Sequence, residues 1–290
     1  MNTTLSLKKH WLIFVLFAAC SGPVNNNTIK DNSTAAAGAV QQTTTAGAQP
    51  VLAFAFANQS GTEVLLPKAD TGNQVNAAAF TEVIIKNTQQ HCTFVKQLPA
   101  GANDNGRQLA DNFAQSAGAI FKLQQPVNTE EETVLLTNAA FLQQHHLLDR
   151  SPAPGSNLSA EVKAQLESSK RRRIKSIHAV AGLAAGAGVY LVEFERKLDS
   201  VLVSLVATKH GDIISRDYAA KFDSTSTWGV DDGGEFGFDN YHLLAAFDNN
   251  GDPELVTEWA GAEGITIEYM VPKGNVFVTR QTGYRYSAPL

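Results

Sequence analysis

The chain has 290 residues, 43% hydrophobic and 18% charged, with 23 Lys and Arg against 28 Asp and Glu for a net charge of −5. This composition supports a buried core and excludes wholesale disorder, and the acidic balance argues against a general nucleic-acid binder. Two cysteines are too few for a disulfide scaffold or a multi-cysteine zinc site. At the start, Lys8, Lys9 and His10 stand without any acid, and Trp11–Phe17 follows as an unbroken apolar run before Ala18, Ala19 and Cys20. A basic start, a short apolar run and small residues read as a secretory signal peptide over residues 1–19. The run is too short for a spanning helix, which needs about 20 apolar residues.

Small residues directly before Cys20 resemble the bacterial lipoprotein signal, or lipobox, although that family usually carries Leu where this chain has Phe17. The resemblance implies acylation of Cys20 as the first mature residue and a membrane partner through that lipid. Ser21 stands where an Asp retains some lipoproteins at the inner membrane, so the expected location is the outer membrane of a bacterial envelope. The alternative is an ordinary secreted protein cut near Ala19. Residues 20–50 are rich in Asn, Thr, Ala and Gln, with almost no large apolar side chain. They read as a flexible tether with a random-coil span of roughly 30 Å.

The folded part is expected from Val51 onward. Val51–Ala57 and Glu63–Leu66 read as strands around the turn Asn58–Gly61, followed by strands at Phe80–Lys86 and Thr93–Lys96. Pro99–Asn105 reads as a loop and Arg107–Ala117 as a short helix. Ala119–Leu123 and Thr133–Thr137 are further strands, and Asn138 is placed to cap a helix running to Leu148. Ser151–Ser156, with two Pro and a Gly, is the clearest break. Leu158, Val162 and Leu166 then recur at helical spacing behind Ser159, an N-cap, and the helix ends in Lys170–Arg173. That basic run is either a contact for anionic lipid or glycan, or a set of cations at a helix C-terminus. From residue 174 the period is two: Tyr190, Val192 and Phe194, the run Val201–Thr208, then Ile265, Ile267, Tyr269 and Val271 before a turn into Val276–Arg280. The Gly-rich stretch Gly182–Gly188 matches no phosphate-loop spacing and reads as a turn. The predicted fold class is mainly β with a few short helices (α+β), with an antiparallel sheet or β-meander in the C-terminal half. The organisation is a signal at 1–19, a tether at 20–50, an N-terminal α+β part at 51–150, and a helix plus antiparallel β part at 156–290.

Two segments could carry chemistry. In Asp217–Asn240, Trp228, Asp231, Asp232, Glu235 and Asp239 mix acids with an aromatic around Gly233-Gly234, a hairpin-turn signal. Such a set could bind a sugar or a cation, or supply a glycosidase acid pair; the alternative is a solvated acidic hairpin. In the second segment, Asp248, Asn250, Asp252 and Glu254 alternate around Gly251, as oxygen ligands do in a calcium loop. Residues 242–280 resemble one FG-GAP or VCBS repeat of surface proteins, which implies calcium at those four residues. The family loop is longer and has Gly where this chain has Pro253, and no second copy is present. One hairpin of that style is therefore expected, not a propeller. Without calcium the loop is a polar turn and the protein has no cofactor.

His145 and His146, adjacent on a short helix, cannot both face one metal. Cys92 reads as a small buried hydrophobe. The chain has no G-x-S-x-G, H-E-x-x-H, Walker A or C-x-x-C motif. The leading functional expectation is a non-enzymatic, lipid-anchored envelope binding module whose partner is another envelope protein or a glycan. Trp228, Tyr241, Trp259, Tyr269, Tyr284 and Tyr286 mark where a ligand surface could lie. The alternatives are an envelope glycan or peptidoglycan hydrolase using the acids of 231–239, and an inhibitor or assembly factor. Nucleic acid is not an expected partner.

Overall fold

A computed structural model of the protein describes residues 49–68, 76–127, 133–151, 158–184, 187–209, 211–223, 227–228, 235–261 and 263–287. The first six strands are β1 (Leu52–Ala57), β2 (Glu63–Pro67), β3 (Glu82–Ile85), β4 (Thr88–Leu98), β5 (Gly118–Leu123) and β6 (Thr133–Thr137). They close into a barrel in the order β1-β2-β5-β4-β3-β6, and every neighbouring pair is antiparallel. A barrel this small has room only for side chains inside it. On β1 the inward positions are accordingly Ala53, Ala55 and Ala57, while Phe121 lies against Phe80 and Phe94 at centroid distances of 6.1 and 5.8 Å. Phe54 and Phe56 point out of the barrel, as the period of two requires.

Arg107–Ala117, predicted as a helix, is a series of turns. Asn112, 3% exposed, explains this. Its side-chain amide donates to Asp104 Oδ1 at 2.8 Å and to the Arg107 carbonyl at 2.7 Å, a carbonyl that a helix would use for itself. The segment instead lays Phe113 edge-on over Phe56, centroids 5.7 Å apart. The helix after Asn138 is α1 (Ala139–Gln144). It ends before the predicted Leu148 because the chain turns extended as β7 (His146–Leu147).

The remaining elements are β8 (Arg150–Ser151), α2 (Ala160–Lys170), β9 (Ile174–Leu183), β10 (Gly188–Phe194), β11 (Ser200–Lys209), β12 (Asp212–Lys221), β13 (Thr227–Trp228), β14 (Glu235–Phe236), β15 (Tyr241–Asn249), β16 (Asp252–Ala260), β17 (Gly264–Lys273) and β18 (Val276–Tyr286). Among the described residues, ten strands form one sheet in the order β7-β15-β16-β17-β18-β12-β11-β10-β9-β8. Two four-stranded antiparallel meanders, β9–β12 and β15–β18, are joined by a parallel bridge between Ser215 and Val276, and the short β7 and β8 add one strand at each end. The sheet curls until its ends meet across 146–151. There Leu148 N–H donates to the Ala246 carbonyl at 2.8 Å and Ala184 N–H to the Asp149 carbonyl at 3.2 Å. One apolar core lines its inner face, from Leu183, Leu191 and Leu205 round to Leu255 and Met270.

The outer face is covered twice. The helix α2, capped by Ser159, sets Leu158, Val162 and Leu166 over Tyr190, Val192 and Phe194. Of its basic end, Lys170 and Arg172 have partners on the sheet, while Arg171 and Arg173 are exposed. Arg171 takes the left-handed C-cap conformation, Arg172 donates to the Ser200 carbonyl at 2.8 Å, and Lys170 lies 2.7 Å from Asp217. The other covering is the barrel itself. Ile84 and Leu135 of the barrel pack with Phe247, Val256 and Ile267 of the sheet and with Phe141 of α1 in one buried cluster. The strand-rich parts on either side of the 152–157 break therefore share a core.

A Cβ on Gly283 of β18 would overlap the ring of Phe54 on β1 at this junction. Gly283→Ala is expected to lower stability by about 1–3 kcal/mol, read as a fall in Tm. Gly261→Ala, whose Cβ would meet, among the described residues, only the Gly264 carbonyl oxygen at 3.6 Å, is expected to leave Tm near the wild-type value.

Candidate functional site

A largely buried polar group gathers where α1 meets the β15–β16 hairpin. His145 is the C-cap residue of α1, stacked on Phe141 at a centroid distance of 4.1 Å. Its Nδ1 lies 2.6 Å from Glu254 Oε2 of β16. Tyr269 of β17 donates its hydroxyl to the same oxygen at 2.7 Å, and the Asn249 amide donates to Oε1 at 3.0 Å. Glu254 is 3% exposed, so these contacts replace its water. Burial, and then the hydrogen bond and charge of Glu254, push the Tyr269 phenol well above its ordinary range.

The His145 ring lies at the edge of an open cleft of about 520 Å³. Leu52, Phe141 and Val271 give the cleft an apolar floor, and Asn250, Asp252, Arg280 and Gln281 a polar rim. Because Nδ1 faces Glu254, Nε2 is the ring nitrogen left for the cleft. A carboxyl group that fixes an imidazole in this way sets its tautomer and orientation. Among the described residues that line the cleft there is no Ser, Thr or Cys.

The four predicted calcium ligands are divided by the hairpin. Asn249 pairs with Asp252 and Asp248 with Pro253, and Asn250 (φ 55°) and Gly251 (φ 92°) form the two-residue turn. The pleat therefore puts Asp248 on the opposite face from Asp252 and Glu254. Asp248 accepts from Gly251 N–H at 3.1 Å and lies 3.7 Å from Lys209, while Glu254 is committed to His145 and Tyr269. Among the described residues there is no group of three or more His, Cys, Asp or Glu that could hold a metal.

The acidic segment differs from the predicted hairpin. It opens inside β12, and β13 and β14 pair parallel rather than antiparallel. Trp228 lies on β13 and Glu235 on β14, Asp239 is exposed in a 3-10 turn, and Asp231 and Asp232 lie outside the described residues, as does Cys20. Phe236 from this segment enters the core of the curled sheet, 4.5 Å from Trp259. Of the marked aromatics, Tyr241, Trp259 and Tyr269 are buried, whereas Tyr284 and Tyr286 are exposed. Sequence reasoning missed His145 as a site residue because its partners lie 109 and 124 positions away. No protein family model, curated protein or solved structure matches the chain.

Cys92 is buried inside the barrel, and that burial, with the Glu82 carboxyl, pushes its thiol up to about 12. A raised folded value stabilises the protein fully below the reference value of 9.0 and loses that contribution as pH climbs toward about 12. Melts between about pH 8 and pH 11 are expected to show a falling Tm, less steep in Cys92→Ala. Calcium at millimolar concentration is expected to leave Tm equal to that in EDTA, whereas a site filled at 100 times its Kd would add about 2.7 kcal/mol. Glu254→Ala strands the Tyr269 hydroxyl and the Asn249 amide. Thermal denaturation is expected to show a loss of about 1–3 kcal/mol.

Proposed function

We propose that this is a lipid-anchored protein of a bacterial outer membrane whose folded part is a binding module, with its ligand seated in the His145–Glu254–Tyr269 cleft. The sequence features that support the anchoring are the basic and apolar start, Cys20 after Ala18-Ala19, and the polar stretch to residue 50. Among the described residues no helix is long and apolar enough to cross a membrane.

The observation that carries the binding reading is Glu254. Its buried carboxyl group holds His145, Tyr269 and Asn249 in fixed positions at the edge of a concave surface. Side chains locked in this way lose little freedom when a ligand arrives, which favours affinity. An apolar floor with a few directed polar groups is the usual make-up of a ligand site. Asp252, Arg280 and Gln281 on the rim suit a polar partner such as an envelope glycan. Calcium at Asp248, Asn250, Asp252 and Glu254 is not part of this proposal.

One geometric fact favours a second reading. With Nδ1 held by Glu254, His145 could serve as a general base toward a water in the cleft, giving an envelope hydrolase without a covalent intermediate. It would use His145 rather than the acids of 231–239.

Co-sedimentation of the full chain with purified envelope glycan tests the binding reading. Wild type is expected to pellet with the glycan and Arg280→Ala to lose at least tenfold in affinity; equal pelleting of both would overturn the placement of the ligand in this cleft. Glycan cleavage that is abolished in His145→Asn would decide for the hydrolase. The anchoring is tested separately: Cys20→Ala is expected to abolish palmitate labelling and release the protein from membranes.

A further inference from the structure

A second cavity, of about 440 Å³, lies between the barrel and the curled sheet, and the cleft mechanism uses none of it. The barrel contributes Ile84 and Thr133, and Lys86 from the turn after β3; the sheet contributes Arg150, Leu244, Glu258, Ile265 and Arg285 among others. Two buried oxygen atoms of this lining are unusual. Glu258 is 6% exposed and Thr133 is 3% exposed, yet among the described residues Glu258 Oε2 and Thr133 Oγ1 have no hydrogen-bond partner. Buried oxygens are rarely left so, because each has given up water without replacement. Here the two come from different halves of the fold, β16 and β6, and line the same space.

We propose that this cavity is a binding site for a small hydroxylated ligand of the sugar or sugar-acid class. The donor pattern selects that chemistry. An ionised carboxyl oxygen accepts only, so the ligand must bring a donor to Glu258, while the Thr133 hydroxyl can donate or accept. A polyol supplies both through neighbouring hydroxyl groups. A lone ammonium donor fits poorly, since Lys86, Arg150 and Arg285 give the same cavity a cationic wall on both sides. The guanidinium groups of Arg150 and Arg285 also donate to the carbonyls of Leu243 and Gln108. A ligand carboxylate would meet this cationic wall favourably, and Ile84, Leu244 and Ile265 offer apolar surface to the C–H groups of a ring. The volume lies in the range of small-molecule sites.

The test is isothermal titration of the full chain with glucuronate, glucose and glycine as probes. Glucuronate or glucose is expected to bind and glycine not to. Glu258→Gln, which replaces an acceptor with a donor of the same size, is expected to weaken sugar binding at least tenfold. Thr133→Val keeps the shape, so a loss of binding in that variant does not depend on Glu258→Gln folding. Tighter binding of glucuronate than of glucose would support the role of the cationic wall. The proposal is overturned if neither sugar binds, if glycine alone binds, or if both variants bind sugar as wild type does. Arg280→Ala, in the other cleft, is expected to leave these titrations unchanged, so this site and the glycan-binding cleft stand or fall separately.

Discussion

A strand wall buried on both of its faces ties this molecule together. β3 and β6 belong to the barrel, yet each has apolar side chains on two sides. Val83, Ile85, Val134 and Leu136 fill the barrel, while Ile84 and Leu135 pack on the curled sheet. Every residue of Glu82–Ile85 and Thr133–Thr137 is buried. A wall of this kind cannot be solvated on either side without exposing a row of large side chains, so the barrel needs the sheet for its outer surface and the sheet needs the barrel for half of its own. Both proposed sites lie along this junction, because two curved surfaces packed together leave hollows at their margins. The His145 cleft opens beside Leu52 and Gln281, and the Glu258 cavity beside Ile84 and Thr133.

The curled sheet solves its own interior differently. Beside the apolar core, its inner face holds a polar group centred on Glu268. Glu268 accepts from Thr279 at 2.8 Å and from the Tyr218 hydroxyl at 3.2 Å, and Tyr218 lies 3.1 Å from the Tyr241 hydroxyl. Burial holds the Tyr218 and Tyr241 phenols far above their ordinary range, so they remain donors. Tyr218 sits on β12, Glu268 on β17, Thr279 on β18 and Tyr241 on β15, so the group stitches the two meanders together where their backbones share the parallel bridge at Ser215. Hydrogen bonds of this directional kind fix which strand faces which more strictly than apolar contact can.

Local features were legible in the sequence, and distant ones were not. Asn138 and Ser159 cap helices because the capping bond spans only a few residues. The Asn250-Gly251 turn and the alternation of β17 and β18 are likewise written in adjacent residues. Arg107–Ala117 misled because Asn112 competes for the backbone through its side chain, which a propensity reading does not weigh. The acids near Gly251 suggested convergence, but the pairing register separates their faces, and register depends on the partner strand. The His145–Glu254 pair joins a helix end to a strand more than a hundred positions later, and nothing near either residue announces the other.

The single side chain of Asn138 does more than begin a helix. Its Oδ1 caps α1 at Phe141 N–H and also accepts from Val51 N–H, while its Nδ2 donates to the Gln49 carbonyl at 2.8 Å. Next to Gln49, Pro50 forms part of the His145 cleft. Tension on the chain ahead of Gln49 would thus arrive first at the bonds of one asparagine, and through it at the helix that carries His145. If the chain is anchored and the cleft occupied as proposed, a pulling force and a bound ligand would act on the same few bonds at this corner.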